Sequence, residues 1–401
     1  MRIARVACAA WSIASPLLAL FNLGNAQAQT SAPLAGTCQQ FESLIKDSSR
    51  TVLGKLDQRG ISFQGVFVYD WSKTINADQD STPGFGRHSF DLSMPVDGRK
   101  LFGLDGTDGL VRIKNHLNNF GETYSREAQI YSNIDASSRT TLYEIWIEHR
   151  FFNDRLRLKG GKIDANTEFA VVRGSGDFLN SSMGYSPTIM ALPTYPEPKL
   201  GMSAFFHPIH RYGVGLGLGV FQTAGSGTFS MVEPGEEWHA GAGELPGRVS
   251  FGYWRLDGKI ARFDGSEASG SQGFYSVMEQ SVLRQPLEQG ERRITTFLQV
   301  GWADGAVSPF TRHVGGGAVL QGPFRKRSDD GIGVAATWVH LSSDPNAEFD
   351  RPTELTLESY YKVSFNKHVA LVQDFQYLHH PGGASSNPDC PVVTPRLVIS
   401  F

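Results

Sequence analysis

Hydrophobic and polar residues alternate along much of this chain with a period of two, as in strands whose two faces meet different surroundings. Phe63, Gly65, Phe67 and Tyr69 share one face near the start. Val111 and Ile113 alternate with Arg112, Lys114 and His116, and Val214, Leu216, Leu218 and Val220 alternate with Gly215, Gly217 and Gly219. Leu355, Leu357, Tyr361 and Val363 alternate with Glu354, Thr356, Glu358 and Lys362. Such segments approach the ~10 residues of a tilted membrane strand with one apolar and one polar face. A helical period is expected only over residues 41–59, where Phe41, Leu44, Ile45, Val52, Leu53 and Leu56 recur and Gly60 can stop the helix. Turn-rich stretches punctuate the strands. Phe152-Asn153-Asp154 suits a short periplasmic turn, and residues 223–247 and 304–331 suit longer outer loops.

Alternation alone does not separate a membrane barrel from a soluble sandwich, whose sheets also have unlike faces. The two ends of the chain do. Arg2 and Arg5 precede an apolar run over residues 6–21, and Ala26-Gln27-Ala28 has the small-x-small form of a signal-peptidase site. Ser12, Ser15 and Pro16 interrupt that run, which is short of the ~20 residues a spanning helix needs. Residues 1–28 are therefore expected to be a leader cleaved after Ala28, residues 29–60 a periplasmic segment with a short helix, and residues 61–401 one barrel domain. At the other end Leu397, Ile399 and Phe401 alternate with Arg396, Val398 and Ser400. A strand closing on Phe resembles the last strand of outer-membrane barrels, which the barrel-assembly machinery reads.

Composition agrees with export into a membrane. No run after the leader is long enough for a spanning helix, and only helices and closed sheets pair every backbone group in lipid. A strand shows the bilayer only every second residue, so a barrel keeps a polar average composition. The mature length accommodates about 16 antiparallel strands at roughly 20–25 residues each with turns. The net charge is −3, near −5 once the two leader arginines are removed, which leaves no basic excess for nucleic acid. Cys38 and Cys390 remain after the leader and could form one disulfide in the periplasm. No Cys/His spacing suggests a metal, Pro208 spoils the His207–His210 pair, and His379-His380 is read as solvated or interfacial. No cofactor is expected. Trp254, Trp302 and Trp338 are assigned to interfacial girdles.

Residues 101–201 carry the candidate chemistry. Glu144, Trp146 and Glu148 fall on one face of a strand, with Tyr143, Ile145 and Ile147 on the other. Beyond the turn, Arg157 and Lys159 alternate with Leu156 and Leu158. A hairpin closing at Phe152-Asn153 would set Glu148 against Arg157 and Trp146 against Lys159, opposite charges aimed into a lumen. An exposed, salt-bridged face of a soluble sheet would show the same alternation. Residues 164–201 then lack a strand pattern, and a loop of that length in a compact domain is usually functional. Part of it is expected to fold inward and narrow the pore. The candidate pore-lining and sugar-binding set is Arg112, Lys114, Glu144, Trp146, Glu148, Arg157, Lys159, Lys162, Asp164, Glu168, Phe169 and Phe178. Sugars offer hydroxyls to charged groups and C–H faces to rings, and such contacts suit entry without trapping.

Four stretches make the sequence similar to the carbohydrate-selective porins of the OprB type. They are Leu101-Phe102-Gly103 with the strand and turn over 109–124; Leu142-Tyr143-Glu144-Ile145-Trp146-Ile147-Glu148 with its partner over 157–162; Glu168-Phe169 running to Phe178-Leu179-Asn180-Ser181-Ser182 and Ser186-Pro187; and Gln373-Asp374-Phe375-Gln376-Tyr377 ending at Pro381-Gly382-Gly383. Leu53-Gly54-Lys55-Leu56 followed by Arg59-Gly60-Ile61 matches the family's opening stretch only in part. The resemblance implies a 16-stranded transmembrane barrel in the outer membrane, with a charged, aromatic-lined constriction passing monosaccharides by facilitated diffusion. Sugars and outer-membrane lipids are its expected partners, and monomer and homo-oligomer both remain open. A general porin differs only in degree. A barrel lipase or protease would need a nucleophile, base and acid at one rim, and the chain has no G-x-S-x-G elbow and scattered histidines. The chain is not read as an enzyme.

Overall fold

Inward polar and outward apolar residues decide this architecture. Asp70, Ser72, Thr74, Glu354, Thr356, Glu358, Asp374, Gln376, Thr394 and Arg396 are buried, while Trp71, Val220, Phe251, Phe274, Leu298, Val334, Leu357 and Phe375 are exposed. That polarity is the inverse of a water-soluble sandwich, and it is stable where hydrocarbon surrounds the outer face. The structure is a computed structural model describing residues 52–75, 84–118, 126–209, 213–223, 225, 227–241 and 244–401. The leader with its cut after Ala28, Cys38 and residues 41–51 of the expected helix lie outside the described residues. Residues 52–58 are helical, and Gly60 at φ 90° follows them.

Sixteen antiparallel strands close on themselves. They are β1 (Gln64–Thr74), β2 (Phe85–Asp97), β3 (Thr107–Asn118), β4 (Arg139–Phe151), β5 (Leu156–Ile163), β6 (Lys199–Ile209), β7 (Val214–Gln222) and β8 (Thr228–Ala240). There follow β9 (Leu245–Ala261), β10 (Glu267–Pro286), β11 (Glu291–Ala303), β12 (Phe310–Gln321), β13 (Gly331–Leu341), β14 (Thr353–Asn366), β15 (Val369–His379) and β16 (Cys390–Ser400). Each strand pairs with its sequence neighbours, and β1 pairs with β16 from Val66↔Ser400 to Thr74↔Val392. Closure removes the open edges that lipid would leave unsatisfied. Phe401 finishes the seam: its N–H donates to the Gly65 carbonyl, Gly65 N–H returns the bond, and its ring occupies the space a side chain at Gly65 would fill. Connections are short at this rim, as at residues 367–368 between β14 and β15. The opposite rim carries the long ones, over 119–138 and 164–198.

Four expectations need correction. Residues 223–247 and 304–331 are not loops, because β8 and β12 run through them. Pro234 and Gly235 read as turn residues, yet Pro234 sits in β8 opposite Leu216 at a break in the ladder to β9. A proline is tolerated in a strand where no ladder donor is needed. Gly315, Gly316 and Gly317 likewise lie within β12, where a side chain at Gly315 would meet His313 and one at Gly317 would meet Phe297.

The β4–β5 hairpin closes one residue later than expected, so Glu148 opposes Lys159, Trp146 opposes Gly161 and Arg150 opposes Arg157. Phe152, Asn153 and Asp154 all take positive φ, a left-handed run that lengthens the turn. Tyr143 faces inward beside Glu144 because the ladder skips it: Arg112 pairs with Glu144 and Ile113 with Leu142. Such a bulge re-aims a side chain that strict alternation would send to lipid. Trp254 is fully buried and stacked with Phe229 inside the barrel, whereas Trp302 is outward. Phe251 and Tyr253 occupy the outward parity of β9, which leaves its even positions for the interior.

Candidate functional site

The loop of residues 164–198 turns inward at once. Asp164 caps a tight turn over Ala165–Thr167 by accepting from Asn166 N–H at 3.0 Å, and Asn180 caps the short helix Ser181–Gly184 by accepting from Ser182 N–H at 2.9 Å. Between and beyond these turns the loop buries Phe169, Val172, Phe178, Leu179, Met183 and Ile189 against inward-facing Phe221, Phe229, Met231, Trp254, Tyr275 and Phe297. Each fully buried large side chain contributes roughly 1.5–3 kcal/mol, enough in sum to hold an otherwise irregular loop. β7 is built for this contact, since a Cβ at Gly219 would lie 2.7 Å from the Phe169 ring. Phe169 and Phe178 are thus anchors against the wall and not surfaces open to a passing solute, which corrects their expected place in the lining.

Wall glutamates fasten the same loop through its main chain. Glu144 accepts from Asp164 N–H at 3.1 Å, Glu233 from Ala170 at 2.8 Å and Glu279 from Gly174 at 2.6 Å. Glu358 accepts from Leu179 at 2.5 Å and from Asn180 at 3.3 Å. A second inward segment, residues 126–138, escaped the sequence reading. Glu354 accepts from its Ala128 and Gln129 N–H groups at 2.7 and 2.8 Å and from Gly382 at 2.6 Å. The two segments then bond one another, Ser181 N–H to the Ile130 carbonyl and Asn133 N–H to the Leu179 carbonyl. Its signal was available in its length alone, a connection of 20 residues over 119–138.

Opposite charges form a lattice on the inner face of β2 to β5. Arg112 bonds Asp91 at 2.7 Å and Glu144 at 3.0 Å, and Lys114 reaches Asp91 at 3.3 Å while lying 4.0 Å from the Tyr143 ring centre. Glu148 takes Arg157 at 2.8 Å, Arg150 at 2.9 Å and Lys159 at 3.3 Å. Glu168 reaches across from the loop to Arg157 at 2.6 Å and Lys159 at 2.5 Å. Arg150 also meets Asp108 at 2.8 Å. Five carboxylates thus face five cations, so the patch has no net charge. The acids sit deeper: the Arg112 and Arg157 side chains are 28 % and 26 % exposed, against 2 % for Glu144 and 3 % for Glu168. Guanidinium N–H groups therefore present donors to the lumen while the paired acids fix their direction. Aromatic faces back the cations, with Lys159 4.0 Å from the Trp146 ring centre and Arg157 4.4 Å from that of Phe205.

Of the expected residues, Arg112, Lys114, Glu144, Trp146, Glu148, Arg157, Lys159 and Glu168 come together here. Asp91, Asp108, Arg150 and Phe205 belong with them and were missed, because each lies in an alternating strand with nothing local to distinguish it. Lys162 does not join: it pairs with Ile145 on the outward parity and donates to the Leu142 carbonyl. Asp164 is occupied at the loop base, accepting from Tyr143 and, at 2.6 Å, from Thr194.

The loop returns to the wall through Glu197, which pairs with Arg139 and, at 3.0 Å, with Lys199. The hydrogen bond from Arg139 is the main reason the Glu197 carboxyl is held down at about 2. A depressed carboxyl supports the folded state above its ordinary range and loses that support as pH falls through about 2. The Glu197 carbon-13 carboxyl resonance is therefore expected to titrate near 2 in the native chain and closer to 4.5 in Arg139→Ala. A native midpoint near 4.5 would show that the contact does not form in solution.

Comparison with known proteins gives this geometry its context. Residues 87–401 match the model of the carbohydrate-selective porin family OprB. The chain is 23 % identical to Porin B of Pseudomonas aeruginosa, over 87 % of this chain and 90 % of that protein. Its fold resembles the high-pH structure of Pseudomonas putida OprB with a TM-score of 0.77 at 18 % identity, covering 89 % of this chain and 97 % of that one. The low-pH structure of the same protein gives 0.58. On those grounds the chain belongs to the OprB family of carbohydrate-selective porins.

Proposed function

We propose that the chain conducts neutral monosaccharides passively across the bacterial outer membrane, with the Arg157–Glu168 lattice as the selecting surface. The observation that carries this reading is the pairing itself. A neutral patch of oriented donors over aromatic faces suits a polyol, because its hydroxyls meet N–H groups and its C–H faces meet rings. An unpaired cation would favour anions instead. The rim with short turns, where β16 ends, is the periplasmic one by analogy with other outer-membrane barrels. Export through a leader cut after Ala28 and handling of Phe401 by the assembly machinery complete the proposal, with outer-membrane lipids around the barrel.

Liposome swelling with purified, refolded protein tests it, comparing glucose, a disaccharide and a charged solute of similar size. Glucose is expected to enter faster than its size predicts. Arg157→Ala and Trp146→Ala are each expected to reduce the glucose-to-disaccharide ratio by about threefold, the scale set by weak contacts in a conducting pore. Uptake ordered by size alone would make the protein a general porin. Unchanged ratios in both variants would remove these residues from the lining.

A further inference from the structure

Beyond the charge lattice, the inward loop makes a second construction at residues 173–177. Arg173 bonds Glu237 of β8 at 2.7 Å, and Asp177 bonds Lys362 of β14 at 2.8 Å. Between them Gly174 N–H donates to Glu279 of β10 at 2.6 Å. This short stretch is thus fastened to three separate parts of the wall, as a beam would be. It borders a cavity of about 580 Å³ reaching toward the ends of β8, β12 and β14 at the rim with short turns. A smaller cavity of about 250 Å³ adjoins it through Arg173, Glu237 and Arg248, and extends back to Arg157 and Glu168.

We infer that this cavity is a second station for the same neutral sugars, on the β8–β14 wall apart from the lattice on β2 to β5. The inference rests on the sugar-channel reading above. Its volume lies within the range of small-molecule sites. Its charges come in pairs, like those of the lattice: Arg173 with Glu237, Lys362 with Asp177, and Arg248 with Glu279 at 2.5 Å. Of the other charged groups in the lining, Arg293 pairs with Glu291 and Asp330 with Arg327, while Asp329 adds one carboxylate, so donors and acceptors are both on offer with little excess charge. The Arg173 and Glu237 side chains are 59 % and 55 % exposed, so their outer hydrogen-bonding positions face water that a sugar hydroxyl can displace. Two weak stations also speed transit relative to a single tight one, since each needs only modest affinity.

The test is single-channel recording of the full mature protein in planar bilayers, with glucose as the probe. The native channel is expected to show two glucose-dependent components in its current noise. Arg173→Gln combined with Lys362→Gln should abolish one, raising its half-saturating glucose concentration about tenfold or more, a loss of about 1.4 kcal/mol. Arg157→Ala should instead suppress the other. A double variant that keeps both components overturns the second station, as does a native channel with a single component. Because the double variant could shift the loop, Ser281→Cys in the cavity wall supplies an independent reading. Glucose is expected to slow its modification by a small charged thiol reagent at least threefold, and an unchanged rate counts against the station. Failure of the sugar-channel reading would appear separately, as glucose swelling no faster than size allows.

Discussion

Glu168→Gln is expected to turn the neutral lattice into an anion-preferring one. Glu168 is the loop's only contribution to the Arg157–Lys159 pair among the described contacts, and Glu148 on the wall cannot balance both cations and Arg150 as well. Removing one partner from a dry buried pair costs about 3–5 kcal/mol. Here the Arg157 side chain is 26 % exposed to the lumen, so solvent takes up much of that penalty and the barrel survives. The unbalanced charge then acts on the permeating solute. In a potassium chloride gradient the reversal potential should shift toward chloride, with the anion-to-cation permeability ratio rising about fivefold at low salt and less at high salt. Glucose should lose its advantage over a charged solute of equal size. A reversal potential equal to that of the native channel would mean that the pair lies off the conducting path.

The second large effect is expected from Glu358→Ala. Glu358 is buried and its oxygens take the N–H groups of Leu179 and Asn180 where the loop crosses β14. Loss of the carboxylate leaves two buried donors without an acceptor, at about 1–3 kcal/mol each. The sixteen-strand ladder does not pass through these bonds, so the barrel should still form and migrate as a folded species. The loop should loosen: thermal unfolding is expected to fall by several degrees, and the size limit in liposome swelling to rise. Glu358→Gln keeps one acceptor oxygen and should restore most of the native size limit. Native exclusion in Glu358→Ala would show that the apolar anchors Phe169, Phe178 and Leu179 hold the loop unaided.

This chain is thus a barrel with two layers of design. The outer face needs only apolar residues at alternate positions. The inner face carries a set of glutamates whose partners are main-chain amides, and these bonds add to the apolar anchors that hold the loop. Glu144 belongs to both layers, bonding Arg112 in the lattice and Asp164 N–H at the loop base. Its replacement would disturb selectivity and loop position together, which makes Arg157 and Trp146 the cleaner probes of selectivity.

From the sequence alone the strand content, the 16-stranded barrel, the inward loop and most of the charge lattice could be read. The reason is that strand alternation is local: which face Glu148, Arg157 or Leu357 takes is settled within a few neighbouring residues. Tertiary structure decided whatever depends on pairing across the barrel. The bulge that turns Tyr143 inward, the register that sets Glu148 opposite Lys159, and the outward place of Lys162 all follow from ladder partners that no local pattern contains. Phe169 and Phe178 read as lining and Trp254 as girdle, and only the opposing wall shows all three packed inside the barrel. The segment 126–138 folds inward because Glu354 and Gln376, more than two hundred residues away, supply its hydrogen bonds. A period of two reports the face a residue takes, whereas its partner is a property of the closed sheet.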